Sequence, residues 1–391
     1  MKEFNFYNKL KAMGKKNVLF IFGTRPEVIK LAPIIIELKK YPDKYNVIVC
    51  NTEQQKELSN QTLSYFNLKA DISLNCMRDN QALADIQSRI LNSIEHEVFD
   101  KYNIDATIVQ GDTMTVLCGA LVSFYHKTPV FHVEAGLRSY DIFEPFPEEI
   151  MRQMTSRVSV LNFAPTSKNK QALLSEGIKE STIFVTGNTV IDALFCLSEE
   201  TMLSSKKFYE DINIKINNNL VLITVHRREN HGQRLDHILD AIEYLVRKYS
   251  DHTFVLPVHP NPNVREKVHS KLENYPNVHL LSPLDYPNLV YLMKNAKLIL
   301  TDSGGIQEEA PSFGCPTLVM RYETERQEGI DAGVSTLVGA DFDKIVKYSE
   351  EILDNDKDLT RLKVQNPYGD GNSAKIIAQI IKEFFDNKKA S

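Results

Sequence analysis

The chain has 391 residues, 42% of them hydrophobic and 25% charged, with a formal net charge of -5; that length predicts two domains of roughly 150 to 200 residues rather than one. The negative balance leaves no footprint for nucleic acid or an anionic membrane surface, so an anionic ligand would need a local cationic cluster. Apolar runs of strand length fall short of the ~20 residues that span a bilayer, and five widely spaced cysteines with no metal-ligand pattern point to a reduced, cytoplasmic compartment.

Residues 1–16 are polar and lysine-rich and lead into an apolar run too short for a signal-peptide core, with Met13 as an alternative start. Asn17–Phe22, Asn46–Cys50, Ala106–Gln110 and Val130–Val133 then read as strands, with helices including Ile34–Lys40 and Gln81–Tyr102 between them. A second alternation follows Thr186-Gly187-Asn188: strands at Leu220–Val225, Thr253–Val258, His279–Leu281 and Lys297–Thr301, with helices such as Arg234–Lys248 and Tyr286–Asn295. This pattern predicts an α/β protein of two Rossmann-like domains with parallel sheets facing a central cleft. The expected divisions are 1–187, 188–371 and a final amphipathic helix within 372–391 that packs back on the first domain.

The first strand ends in Phe22-Gly23-Thr24-Arg25-Pro26-Glu27, with Lys30 a turn later. A glycine permits close backbone approach, and Arg25 and Lys30 add charge where an anion would bind; the competing reading is a surface turn carrying an Arg-Glu pair. In the second half, Thr301-Asp302-Ser303-Gly304-Gly305-Ile306-Gln307-Glu308-Glu309 follows a strand and opens a helix. Gly304 and Gly305 can present amides to a diphosphate, Ser303 a hydroxyl, and Glu309 can reach a ribose diol. A plain N-cap by Asp302 or Ser303 would leave the double glycine unexplained.

Asp112, Glu134 and Glu148 lie just beyond strands or at a helix start. Structural roles compete for two of them: Asp112 can cap the next helix, and Glu148, after Pro147, sits in a first turn where acids complement the dipole. His226 closes a strand and begins His-Arg-Arg-Glu-Asn, where an imidazole can bridge phosphate and sugar, or simply be hydrogen-bonded.

Together these segments resemble the non-hydrolysing bacterial UDP-N-acetylglucosamine 2-epimerases from about Asn17 to Lys382. The carrying motifs are Phe-Gly-Thr-Arg-Pro-Glu (22–27), Gln-Gly-Asp-Thr (110–113), His-Val-Glu-Ala-Gly-Leu-Arg (132–138), Pro-Phe-Pro-Glu-Glu (145–149), Thr-Val-His-Arg-Arg-Glu-Asn (224–230), Pro-Val-His-Pro-Asn-Pro (257–262) and the Ser303 loop. The resemblance implies a GT-B architecture, a homodimer, and interconversion of UDP-GlcNAc with UDP-ManNAc for surface polysaccharide synthesis, without a metal or redox cofactor. It makes Asp112, Glu134, Glu148 and His226 the catalytic set, with proton transfer given to the three carboxylates, and assigns contacts with UDP and substrate to Arg25, Lys30, Arg138, Ser303, Gly304, Gly305, Glu309 and Arg326.

Two departures from the family pattern stand out. The motif that helps bacterial members bind a second, activating UDP-GlcNAc normally reads Gln-His; here it is Gln54-Gln55, and Gln81 and His259 complete the candidate activator site. The usual Glu-Arg-Pro-Glu-Ala near the uridine is Glu325-Arg326-Gln327-Glu328-Gly329, which keeps the ionic groups. A hydrolysing epimerase, a GT-B glycosyltransferase and a non-catalytic sugar-nucleotide sensor are the alternatives; a transferase would not need three carboxylates around C2.

Overall fold

The computed structural model describes residues 14–78, 81–356, 362 and 365–390. The alternative start at Met13 and most of the 1–16 extension lie outside them. Contacts divide the chain into two compact units, one running to Cys196 and resuming at Gly371, the other spanning Leu197–Asp370. Among the described residues, no helix is long and apolar enough to cross a membrane.

The first unit is a seven-stranded sheet in the order β3-β2-β1-β4-β5-β6-β7. Its strands are β1 (Lys16–Phe22), β2 (Tyr45–Asn51), β3 (Ile72–Ser73), β4 (Ala106–Gln110), β5 (Val130–Val133), β6 (Leu161–Ala164) and β7 (Ile183–Val185). Every pairing is parallel. Helices cover both faces, so the strands read as continuous apolar runs rather than alternating ones. One face holds Val18, Phe20, Ile108, Phe131 and Phe163 under helix α1 (Arg25–Lys39). The other holds Leu19, Ile21 and Ile48 under α3 (Leu83–Ile94) and α4 (Met114–Tyr125).

Helix α1 begins nine residues earlier than the Ile34 start read from the sequence. Thr24 and Glu27 form a capping box, and Pro26 falls in the first turn, where the missing N–H has no intrahelical bond to lose. The helix expected across Gln81–Tyr102 is α3 running into a π-helical turn at Glu95–Phe99.

The last helix, α15 (Ser373–Ala390), supplies Ala374, Ile377, Ala378, Ile381 and Phe385 to the α1 face of the first unit's core. Their three- and four-residue spacing is one helical stripe. Its first turn is held by Asp192 on α7 (Thr189–Cys196), whose carboxylate accepts from the Ala374 amide at 2.8 Å. Helix α7 also packs on α1, which is why contacts carry the first unit nine residues past Gly187.

The second unit is a six-stranded parallel sheet in the order β10-β9-β8-β11-β12-β13. The strands are β8 (Leu220–Thr224), β9 (Thr253–Pro257), β10 (Val278–Leu281), β11 (Leu298–Thr301), β12 (Thr317–Val319) and β13 (Ser335–Leu337). Its core joins Val221, Ile223, Phe254 and Leu300 to Ile238, Ile242 and Leu245 of helix α9 (Gln233–Lys248). In both sheets strand order reverses beside the first strand, between β1 and β4 and between β8 and β11. Loops at such switch points are where open α/β sheets bind ligands.

Candidate active site

At the first switch point the β1–α1 loop is fastened by a buried acid. Glu27 Oε2 accepts from the Gly23 amide at 3.1 Å, the Thr24 amide at 2.8 Å and the Thr24 hydroxyl at 2.6 Å, while Oε1 accepts from Thr113 Oγ1 at 2.9 Å. The β1–α1 and β4–α4 loops are thereby tied together. Burial pushes the Glu27 carboxyl up to about 7 despite these donors. Gly23 has no space for a side chain, because a Cβ there would press into Thr115 Oγ1 at 2.8 Å and Gln54 at 2.9 Å.

Two carboxylates, Asp112 and Glu134, follow strand ends beside this knot, and a third, Glu148, opens a helix. Glu134, directly after β5 and at φ 64°, is nearly buried and takes Lys30 Nζ and Gln110 Nε2 as partners, with Asn188 Nδ2 at 3.4 Å. Asp112 pairs with Arg152 Nη2 at 2.6 Å. It is not a cap: Thr113 caps α4, accepting from the Val116 amide. Glu148 is the first residue of helix α5 (Glu148–Val158) and is half-buried. Arg152 stands four residues on, so Glu148 shares the helix face that reaches Asp112. No hydrogen bond or ion pair of the Glu148 carboxyl is found among the described residues.

At the second switch point Asp302 plays the organising part. Fully buried, its carboxylate accepts from the His226 amide at 3.1 Å, the Arg227 amide at 2.9 Å and Asn230 Nδ2 at 3.0 Å, and lies 3.0 Å from His226 Nδ1. Burial works to raise its proton affinity, but the His226 ring and these amides outweigh it and hold the carboxyl below its ordinary value. With Nδ1 so engaged, the His226 ring turns Nε2 away from Asp302, and the side chain remains 39% exposed. Its ring stacks 6.3 Å from that of His259, whose proton affinity is lowered by burial and by the neighbouring His226 and His231.

Ser303 is the N-cap of the short helix α12 (Gly304–Glu309) and makes no side-chain cap bond. A Cβ on Gly304 would meet the Arg326 guanidinium at 2.9 Å, whereas Gly305 faces only Ser303 Oγ at 3.9 Å. Arg326 Nε donates to Glu308 Oε1 at 3.0 Å, and its Nη1 pairs with Glu325. Burial would raise Glu325, but Arg326, Arg321 and Arg227 bring it down to about 2. The Arg326 loop is pinned by Tyr368, whose hydroxyl accepts from the Gly329 amide and donates to the Arg326 carbonyl, both at 3.0 Å.

Comparison with known proteins gives the family. The family model described as UDP-N-acetylglucosamine 2-epimerase matches residues 36–382. The chain is 44% identical over 368 residues to the UDP-N-acetylglucosamine 2-epimerase of Neisseria meningitidis, covering 93% of this chain and 98% of that protein. It belongs to the UDP-N-acetylglucosamine 2-epimerase family. The Bacillus subtilis member is 41% identical over 368 residues, covering 94% of this chain and 95% of its own. The crystal structure of the N. meningitidis enzyme bound to UDP-GlcNAc superposes with a TM-score of 0.85, covering 94% of this chain and all of that one. The Methanocaldococcus jannaschii enzyme in complex with UDP-GlcNAc and UDP, 35% identical, gives 0.78 over 94% of this chain and 99% of its own.

Within this epimerase-family chain, the first unit brings Lys30 to Glu134 and sets the Asp112–Arg152 pair on the face of α5 that Glu148 opens. Arg25 is the first residue of α1, its amide donating to Gln55 Oε1 at 3.0 Å. Arg138 departs from the expectation of a substrate contact. Its side chain is 1% exposed and forks onto Glu176, at 2.6 and 2.9 Å, with further bonds to the Leu137 carbonyl and Ser156. Two hydrogen bonds to one carboxylate in a buried setting make it a brace between the β5 loop and the helices behind it. Glu309, the last residue of α12, is buried at 5% exposure.

The candidate activator residues are spread over several bonds. Gln54 Oε1 accepts from Thr115 at 3.3 Å, Gln55 binds the Arg25 amide, and Gln81 is held by Arg89. His259 belongs to the second unit. Sequence reading missed Glu27, Gln110, Arg152, Asn188 and Asp302 as site residues. The Thr-x-x-Glu spacing at 24–27 was a capping-box signal for the first; for Arg152 only its i+4 relation to Glu148 was visible. Among the described residues no three of His, Cys, Asp and Glu gather to hold a metal ion.

Proposed function

We propose that the chain interconverts UDP-GlcNAc and UDP-ManNAc by eliminating UDP across C1 and C2 and adding it back to the opposite outcome at C2. The hydrogen at C2 has no neighbouring carbonyl to acidify it. Breaking the C1–O bond as the proton leaves lets the C–H electron pair become the C1–C2 double bond of a glycal, while the C1–O pair departs with UDP. Re-addition joins a UDP oxygen to C1 and returns a proton to the other face of C2. Two proton carriers are therefore required, plus cations and amides for the departing diphosphate.

The observation that carries this reading is the gathering, in an epimerase-family chain, of Asp112 with its Arg152 partner, Glu134 with Lys30, and Glu148 at one end of a parallel sheet. Asp112 and Glu148 are the proton carriers. Glu134, caged by Lys30, Gln110 and Asn188, acts as a fixed charge toward the electron-poor C1. In the second unit His226, oriented by Asp302, and the Ser303-Gly304-Gly305 terminus take the charge that develops on UDP. Glu309 holds the ribose and Arg326 borders the uridine pocket. The enzyme works in the cytoplasm as a homodimer.

Proton NMR of UDP-GlcNAc with the protein in deuterated water tests this. Deuterium at C2 of both sugar nucleotides, with UDP-ManNAc and little free sugar, is the expected result. Free ManNAc with UDP would reassign the chain as a hydrolysing epimerase, and absence of exchange would overturn the elimination chemistry.

A further inference from the structure

Glu149 and Arg152 have no part in the reaction as written, yet both bear on Asp112. Arg152 sets Nη2 2.6 Å from Asp112 Oδ2 and Nη1 3.4 Å from Glu149 Oε2. The guanidinium is 13% exposed and the Glu149 side chain has no exposed surface. Glu149 is itself pinned, accepting from the Ser139 amide at 3.0 Å, the Tyr140 amide at 3.4 Å and Gln153 Nε2 at 2.7 Å. Burial works to raise its proton affinity, but these donors and Arg152 prevail and hold the carboxyl below its ordinary value, so Glu149 stays anionic.

One cation thus faces two carboxylates, only one of which is asked to move a proton. A buried guanidinium left without a counter-ion is costly. Were Asp112 its sole partner, each proton gained by Asp112 would strand Arg152. With Glu149 behind it, the trio passes from a net charge of minus one to zero, and Arg152 keeps a counter-ion throughout. Besides Glu148, one turn before Arg152 on α5, other charged or titratable groups facing the trio come from each packed element. Glu27 on α1 binds Thr113, and Lys30 on α1 is paired with Glu134 after β5. Arg138 follows β5 and is neutralised by Glu176. His132 on β5 donates Nε2–H to the Gly111 carbonyl at 2.8 Å and is pushed down to about 4 by burial, so it adds no charge at neutral pH.

We propose that Arg152 and Glu149 are positioning residues that aim Asp112 and balance its charge as it takes and returns the proton at C2 of the sugar. This rests on the epimerase reading above. The step it serves moves the C2 proton onto the Asp112 carboxylate while the C–H pair forms the C1–C2 double bond and UDP leaves with the C1–O pair; Glu148 then gives a proton to the other face of C2 as a UDP oxygen re-adds to C1, and in the opposite direction of reaction Asp112 is the donor.

The test is the pH profile of kcat/KM for wild type, Glu149→Gln and Arg152→Gln, in the direction of reaction for which Asp112 is the base. UDP affinity by calorimetry serves as a check on folding. Removing Glu149's charge strengthens the field of Arg152 on Asp112, so the acid limb moves to lower pH; removing Arg152 moves it to higher pH, each by about one unit. UDP affinity stays within about twofold in both. A merely structural role would lower activity without moving the limbs in opposite directions. Shifts of one sign, or none, with wild-type exchange at C2 intact, overturn the role alone; absence of C2 exchange in wild type overturns the reaction and this role with it. Should Arg152→Gln not fold, Arg152→Lys decides: its limb stays with the wild type's while kcat falls at least 10-fold, because the ammonium keeps the charge but not the two-pronged geometry. A limb displaced in Arg152→Lys would refute the charge-balancing role.

Discussion

Glu27 shows how one buried side chain sets the geometry of two loops and leaves a signature in stability. Its carboxyl is raised to about 7 in the folded chain from an ordinary 4.5. Between those values the folded state holds a proton that the unfolded state has released, so its contribution is present in full below pH ~4.5 and is lost as pH rises through ~7. The loss is on the order of 3 kcal/mol. Glu27→Gln, a mimic of the protonated acid, removes this dependence. Urea unfolding midpoints at pH 5 and pH 8 should differ more for wild type than for the variant, and equal differences would exclude the buried-acid account. Asp112→Asn and Glu148→Gln act on chemistry instead: each should lower turnover about 100- to 10,000-fold, with UDP affinity by calorimetry nearly unchanged.

At the scale of elements, what was legible in the sequence was what periodicity controls. Strands rich in β-branched and apolar residues, such as Ala106–Gln110 and Val130–Val133, stand where the pattern put them. The strands missed were β3, β6, β7, β12 and β13, two to four residues long and lying toward the sheet edges. Asn162 interrupts β6, and β12 has only Thr317-Leu318-Val319 between Pro316 and the next loop. Runs of two or three residues carry no period. Within the site, motif residues at strand ends were readable, but their partners were not: Arg152 and Asn188 meet Asp112 and Glu134 only through tertiary packing. The resemblance assigned Arg138 to the substrate, and its partner Glu176, 38 residues on, lay beyond local pattern. The α12 terminus offers an element-scale test. Gly304→Ala sets a methyl against the Arg326 guanidinium, at 2.9 Å from Cζ, and must displace it. UDP affinity should fall at least 10-fold, whereas Gly305→Ala, in open space, should change it less than threefold; equal losses would mean that the two glycines serve only backbone approach.

For the whole molecule, the chain path matters more than the order of its two halves. The second unit is contiguous, and the cluster of buried residues around its sheet runs from Val221 to Leu353 within it. The first unit is not: α15 enters its core from the far end of the chain, with Ile377 and Ile381 completely buried. Exit and re-entry lie together, since a Cβ on Gly371, whose φ is 83°, would sit 2.6 Å from the Phe195 ring. That closeness makes the path separable. A fragment of residues 197–370 should fold and unfold cooperatively by itself, because it contains every residue of that cluster. Residues 1–196 alone lack five core side chains, each worth about 1.5–3 kcal/mol of burial for the larger ones, against the 5–15 kcal/mol that holds a domain together. This fragment should bind a hydrophobic dye and show no sharp thermal transition. Joining 371–391 to Cys196 through a few glycines should restore the transition, since the linker has only the distance between neighbouring residues to cross. A cooperative transition in 1–196 without α15 would show that the helix is an accessory to this core and not a component of it.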